Sequence, residues 1–179
     1  MVQSLSYIRF IGEYMKNKRN LFIIDDYVDP QKDTIYRILK NKKKDYLFLD
    51  GQPFCNNVFE PRYYRQVWLE LCRSVSEQLD MEIAFCGALS PETIESMGNT
   101  DFFNIHWLTI ISSEEKILAR LEISKIKEST GAILRNKWAK ANYKAVFPQV
   151  KLLDITEISD ELAAEAIDSW IVSHSSHKE

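Results

Sequence analysis

Short apolar runs that stop abruptly at a polar residue or a glycine constrain this chain more than any other feature. Leu21–Ile24 ends at Asp25-Asp26, Glu82–Cys86 at Gly87, and Phe103–Ile111 at Ser112-Ser113; Lys151–Ile155 is the last of the series. Tyr46–Leu49 reads either as a further short strand or as a buried loop. Such runs lack the strict alternation of a strand with one wet face, so they fit strands covered on both sides, as in parallel sheets. Between them lie segments with helical spacing: residues 4–16, 29–39, 61–79, 90–97, 116–145 and 158–172. Pro30, Pro61 and Pro91 suit first helical turns, Ser90 a cap, and Ser112-Ser-Glu-Glu115 a capping box. A break is expected at Ser129-Thr-Gly131, and Pro148 blocks the helix that follows it. Alternating elements of this kind predict an α/β fold, a mostly parallel sheet with helices on both faces in three layers.

At 179 residues the chain suits a single α/β domain, 1–179, in which the segment 116–146 has the look of a lid. A net charge of −3 supplies no general field toward nucleic acid or an anionic membrane. Cys55, Cys72 and Cys86 are odd in number and lack CxxC spacing, which argues for a reducing, cytoplasmic setting without disulfides or zinc. The first residues carry no signal-peptide pattern, and no apolar run approaches membrane-spanning length. The tail from His174 to Glu179 reads as a frayed end.

In doubly wound sheets ligands sit beyond the carboxyl ends of the strands, which singles out Asp25, Asp26, Gly87 and the Ser112-Ser113 corner. Asp25 or Asp26 suits a hydroxyl partner, a general base or a water-mediated magnesium ligand, or else caps backbone amides. Gly87 lets a ligand approach a helix N-terminus, or simply forms a tight turn. Arg62 and Arg65 fall one turn apart and can grip phosphate or carboxylate. Arg120, Lys125, Lys127, Arg135, Lys137, Lys140 and Lys144 make one segment basic, either a mobile flap closing over an anion or a solvated helical hairpin. His106, Trp107 and Trp138 read as packing residues. No GxSxG, HExxH or GxGxxG occurs.

From about residue 20 the chain resembles P-loop nucleoside and nucleotide kinases of the adenylate kinase and shikimate kinase type. Leu21-Phe-Ile-Ile-Asp25-Asp26 is similar to that family's second strand with its acidic residue, and Ile83-Ala-Phe-Cys-Gly87 to its third. Ile105–Glu115 and Ile117–Leu121 resemble its fourth strand and the helix to the lid, and Leu153-Asp-Ile-Thr156 with the last helix its closing elements. The family opens on a strand, a GxxxxGK[ST] loop and a helix; this sequence contains no such loop. The resemblance therefore implies the family's architecture without its first strand and phosphate loop. It places Asp25 or Asp26 on the acceptor and Arg120 or Arg135 on phosphate. Arg62, Arg65 and Gly87 complete the substrate side. It implies a nucleotide- or nucleoside-kinase-like domain that is inactive for want of the loop, with ATP and magnesium bound only where a loop is supplied. The alternative is a non-catalytic interaction module. Partners on these readings are a nucleotide or small phosphorylated metabolite, or a second copy or protein completing a gap in the sheet. Nucleic acid and membrane are not among them.

Overall fold

The computed structural model describes residues 18–26, 32–42, 45–51, 61–87, 89–97, 100–123 and 129–175. They form β1 (Arg19–Asp26), α1 (Lys32–Asn41), β2 (Tyr46–Asp50), α2 (Pro61–Leu79), β3 (Glu82–Cys86) and α3 (Pro91–Met97). Then come β4 (Phe103–Ile111), α4 (Glu114–Ile123), α5 (Ser129–Val146), β5 (Val150–Asp154) and α6 (Asp160–His174). The strands build one five-stranded sheet in the order β2-β3-β1-β4-β5. All neighbouring pairs are parallel.

The pleat sorts the core into two layers. Leu21 and Ile23 of β1 join Ile83, Phe85, Cys72 of α2, Ile94 of α3 and Ala139, Tyr143 and Phe147 of α5. Phe22 and Ile24 point to the other face and meet Ile35, Tyr36 and Leu39 of α1 with Ala163, Ala164, Ile167 and Ile171 of α6. The chain leaves β1 toward β2 in one direction and then runs back through β3 and β4 to β5. Right-handed crossovers put the helices of opposite runs on opposite faces, which is why α1 and α2 belong to different clusters. The three-layer α/β expectation holds, and Tyr46–Asp50 is a strand rather than a buried loop.

Several local expectations change. The segment compared with the family's second strand is the central strand here, hydrogen-bonded to β3 on one side and β4 on the other. An apolar run ending in aspartate reads the same for either strand, so only pairing separates them. Among the described residues no gap for a partner strand opens beside it, and the sheet they form has β2 and β5 at its edges. The helix expected over residues 4–16 and the start expected at Asp29-Pro30 lie outside the described residues. The cap before α4 is Ser113, whose Oγ accepts from Lys116 N at 3.1 Å, one residue later than the capping-box reading. The helical pattern over 116–145 does divide, into α4 and α5, but Ser129 opens the second helix rather than forming the break itself. The tail is anchored further than expected: His174 ends α6, and the Ser175 hydroxyl donates to Glu82.

Candidate active site at the carboxyl ends of the strands

Connections diverge at β1, so the crevice beyond its carboxyl end, flanked by β3 and β4, is where this topology holds a ligand. Asp25 lies there, only 2% exposed, its Oδ2 accepting from the Tyr143 hydroxyl at 3.4 Å. Its backbone is held beside Thr109 of β4, itself buried. Tyr143 comes from α5, which also brings Asn136 and Lys140 to the same place because residues spaced by four and three share a helix face.

The end of β4 is fixed by that stripe. Ser112 N donates to Asn136 Oδ1 at 3.0 Å, and Asn136 Nδ2 returns a bond to Ser112 O at 2.7 Å. Lys140 Nζ donates to the same carbonyl at 2.6 Å. Because the helix cap moved on to Ser113, the Ser112 hydroxyl is buried with no hydrogen-bond partner among the described residues. A buried hydroxyl left unpaired is destabilising by about 1–3 kcal/mol unless something fills its valence. Together the corner offers a carboxylate, a phenol, a hydroxyl and an ammonium, the set that recognises a small polar molecule.

Beside it, Lys116 closes the turn after β5: Nζ donates to Thr156 O at 2.9 Å, to Ile158 O at 3.0 Å and to Ile155 O. Burial pushes the Asp154 carboxyl up, but the Thr156 hydroxyl and amide, then Lys140 and Lys116, hold it below its ordinary value. Asp154 is therefore an anion that keeps the two ammonium groups company.

The opposite flank is closed by aromatics. Gly51 N donates to Cys86 O at 2.8 Å, and Tyr64 OH donates to Gly51 O. Trp68 packs on Phe85 with ring centroids 5.0 Å apart. A Cβ on Gly87 would sit 2.7 and 2.8 Å from the Phe85 ring, so the space over this glycine is taken by the protein itself.

Among the residues singled out from sequence, the structure brings Asp25 and Gly87 to the ends of adjacent strands. Asp26 is the last residue of β1 and Arg62 lies in the first turn of α2, but both side chains lie outside the described residues. Arg65 is half-buried on α2, and Arg135 is exposed on α5. Arg120 is 4% exposed and bonds Asp160 at 3.1 Å, joining α4 to the first turn of α6. Of the basic segment, Lys140 turns to the corner, whereas Lys137 pairs with Glu114 at 2.6 Å. Trp107 is core, while Trp138 is 42% exposed with its ring edge-on to Tyr143. Sequence reasoning missed Asn136, Tyr143 and Asp50. The first two were legible as a helical stripe only once the Ser112 corner had been marked. Asp50 ends β2 and pairs with Lys40 at 2.9 Å. Among the described residues no cluster of His, Cys, Asp and Glu could hold a metal, and no helix is long and apolar enough to cross a membrane.

No family model matches the chain, and no curated protein matches it. Solved structures do. The tunicamycin resistance protein of Deinococcus radiodurans superposes with a TM-score of 0.60 at 12% identity, over 86% of this chain and 96% of that one. A sugar kinase from Janibacter sp. HTCC2649 gives 0.54 at 16% identity, over 90% and 100%. The fold is P-loop kinase-like.

Proposed function

We propose that this chain is a kinase-fold domain that binds a small polar metabolite, hydroxylated or phosphorylated, at the β1–β4 corner and does not itself transfer phosphate. The observation that carries the reading is the sequence that follows β1, the strand at which the connections of the sheet diverge. There the family's strand, phosphate loop and helix would fall. Asp26-Tyr-Val-Asp-Pro-Gln-Lys32-Asp33 has the length of GxxxxGK[ST] and keeps its lysine, but Asp26 and Gln31 replace both glycines and Asp33 the final hydroxyl. Counting Asp25, the stretch 25–33 carries four aspartates against one lysine.

Two consequences follow. Without glycine the backbone has no residue free to wrap amides closely around a phosphate, and Pro30 lacks an amide altogether. Four aspartates against one lysine also disfavour an anionic ligand: two like unit charges brought within about 6 Å would repel by about 3 kcal/mol at an effective dielectric of about 20. Even bound to magnesium, a triphosphate remains an anion. Repulsion of this size offsets the electrostatic stabilisation on which phosphoryl transfer depends.

The corner keeps what recognition needs. Asp25 with Tyr143 suits a donor hydroxyl, Ser112 can give or accept one bond, and Lys140 supplies a cation. A metabolite screen by thermal shift, paired with an ADP-release assay on nucleoside and sugar acceptors, tests the proposal. A stabilising metabolite whose effect vanishes in Asp25→Asn, with no ADP released, is the expected result. Acceptor-dependent ADP release at enzyme-like rates would sink it. A second reading, the interaction module, is favoured by Tyr63, Val67 and Leu71, which are exposed at helical spacing on α2. Light scattering that finds a monomer and a screen that finds a ligand together remove that reading.

A further inference from the structure

The opposite end of the sheet carries a second set of chemical groups that the corner does not use. β4 has nine residues and β5 five, and their pairing begins only at Trp107 and Val150. The first stretch of β4, through His106, therefore has no β5 neighbour, and the last turns of α6 overhang the space left behind. The result is a cavity of about 730 Å³ bordered by His106, Lys151, Ser169, Trp170, Ser173 and His174. Its size falls in the range of small-molecule sites, about 300–1,000 Å³.

The walls are set rather than loose. His106 Nε2 lies 3.1 Å from Asn20 Oδ1, and its ring stacks on Phe22 at 5.1 Å. Asn20 in turn donates to buried Glu82 at 2.6 Å and to His174 O at 3.1 Å. Trp170 stands edge-on to Phe22, and His174 packs between Trp170 and His106. The charge is one-sided: the lining holds one cation, Lys151, and no carboxylate. Glu82, which borders this network, is engaged by Asn20 and by the Ser175 hydroxyl. Burial, and then the neighbouring His174 ring, hold the His106 pKa below its ordinary value, so at neutral pH the ring is uncharged and can accept a bond.

We propose that this cavity is a second small-molecule site, separate from the carboxyl-end corner, and that it takes a planar aromatic carboxylate. The ring packs against Trp170 and His106, and the carboxylate meets Lys151, with the Ser169 hydroxyl at its rim; the Ser173 hydroxyl is held by Trp170 O at 2.8 Å. A carboxylate fits better than a phosphate because the lining has no arginine fork and only one permanent cation.

Indole-3-acetate and its neutral amide are suitable probes on the full chain. Binding is read by calorimetry and by the histidine Hε1 resonances, of which the sequence supplies only His106, His174 and His177. Indole-3-acetate should saturate, shift the His106 and His174 signals and bind at least about tenfold more tightly than the amide, a difference of about 1.4 kcal/mol. Lys151→Glu should abolish binding, and Ser169→Trp should block the cavity; both positions are exposed, so circular dichroism of both variants should match the parent. Unshifted histidines at millimolar probe overturn the proposal, as does a folded Lys151→Glu or Ser169→Trp chain that binds like the parent.

Discussion

Replacing Asn136 with alanine tests how firmly the candidate site is tied to its helix. Asn136 is 6% exposed, and its amide makes two bonds to the Ser112 backbone, at 3.0 and 2.7 Å. The two losses differ. Ser112 O keeps its bond from Lys140 Nζ, so that acceptor stays satisfied, but Ser112 N loses the partner the structure gives it. An orphaned buried amide is destabilising by about 1–3 kcal/mol, and the small cavity left by the missing amide group adds about 1 kcal/mol. The variant should therefore lose about 2–4 kcal/mol in urea denaturation at unchanged slope, about 4–16 °C in Tm for a chain of this size. Ligand affinity should fall as well, because the Ser112 corner is no longer fixed. A loss below about 0.5 kcal/mol, the scale of an ordinary surface substitution, would refute the reasoning and return α5 to the status of a free flap.

Other outcomes follow from single contacts. Gly87→Ala drives a methyl to within 2.7 Å of a Phe85 ring that Trp68 already holds in place, and should lower stability by about 1–3 kcal/mol by the same urea assay. Burial pushes the Cys72 thiol up to about 12, so a disulfide-exchange reagent at pH 8 should leave Cys72 unlabelled in the folded chain and label it rapidly in urea. The folded pKa of His106 lies below its unfolded value near 6.5, first through burial and then through His174. The unfolded chain then binds more protons below about pH 6.5, so stability is full above that pH and falls as pH drops toward the folded pKa. Urea midpoints between pH 7.5 and 5 should show that decline, and it should shrink in His106→Gln.

The layers of this fold were legible because burial on both faces leaves a mark in composition. Leu21–Ile24 and Glu82–Cys86 are continuous apolar runs for that reason, and the strands they predict are buried throughout. Which strand lies in the centre was not legible. Pairing order depends on crossovers, and Asp25-Asp26 ends a central strand as readily as a flanking one. The site was half visible: a topological rule marks Asp25 and Ser112, whereas Asn136 and Tyr143 sit 24 or more residues away in sequence and are recruited by helix packing. The Ser112 hydroxyl could not be foreseen at all, because its freedom depends on the neighbouring serine taking the cap.

The central claim of the proposal is that the sequence following β1, where the family's phosphate loop would fall, lacks the residues that grip a phosphate. Calorimetry of MgATP against the parent chain and against Asp26→Gly, Gln31→Gly, Asp33→Ser, which rewrites the connection to GxxxxGK[ST], tests it directly. The account predicts no saturable heat for the parent to millimolar nucleotide and measurable binding for the triple variant. Micromolar MgATP binding by the parent, or a folded triple variant as inert as the parent, would contradict it.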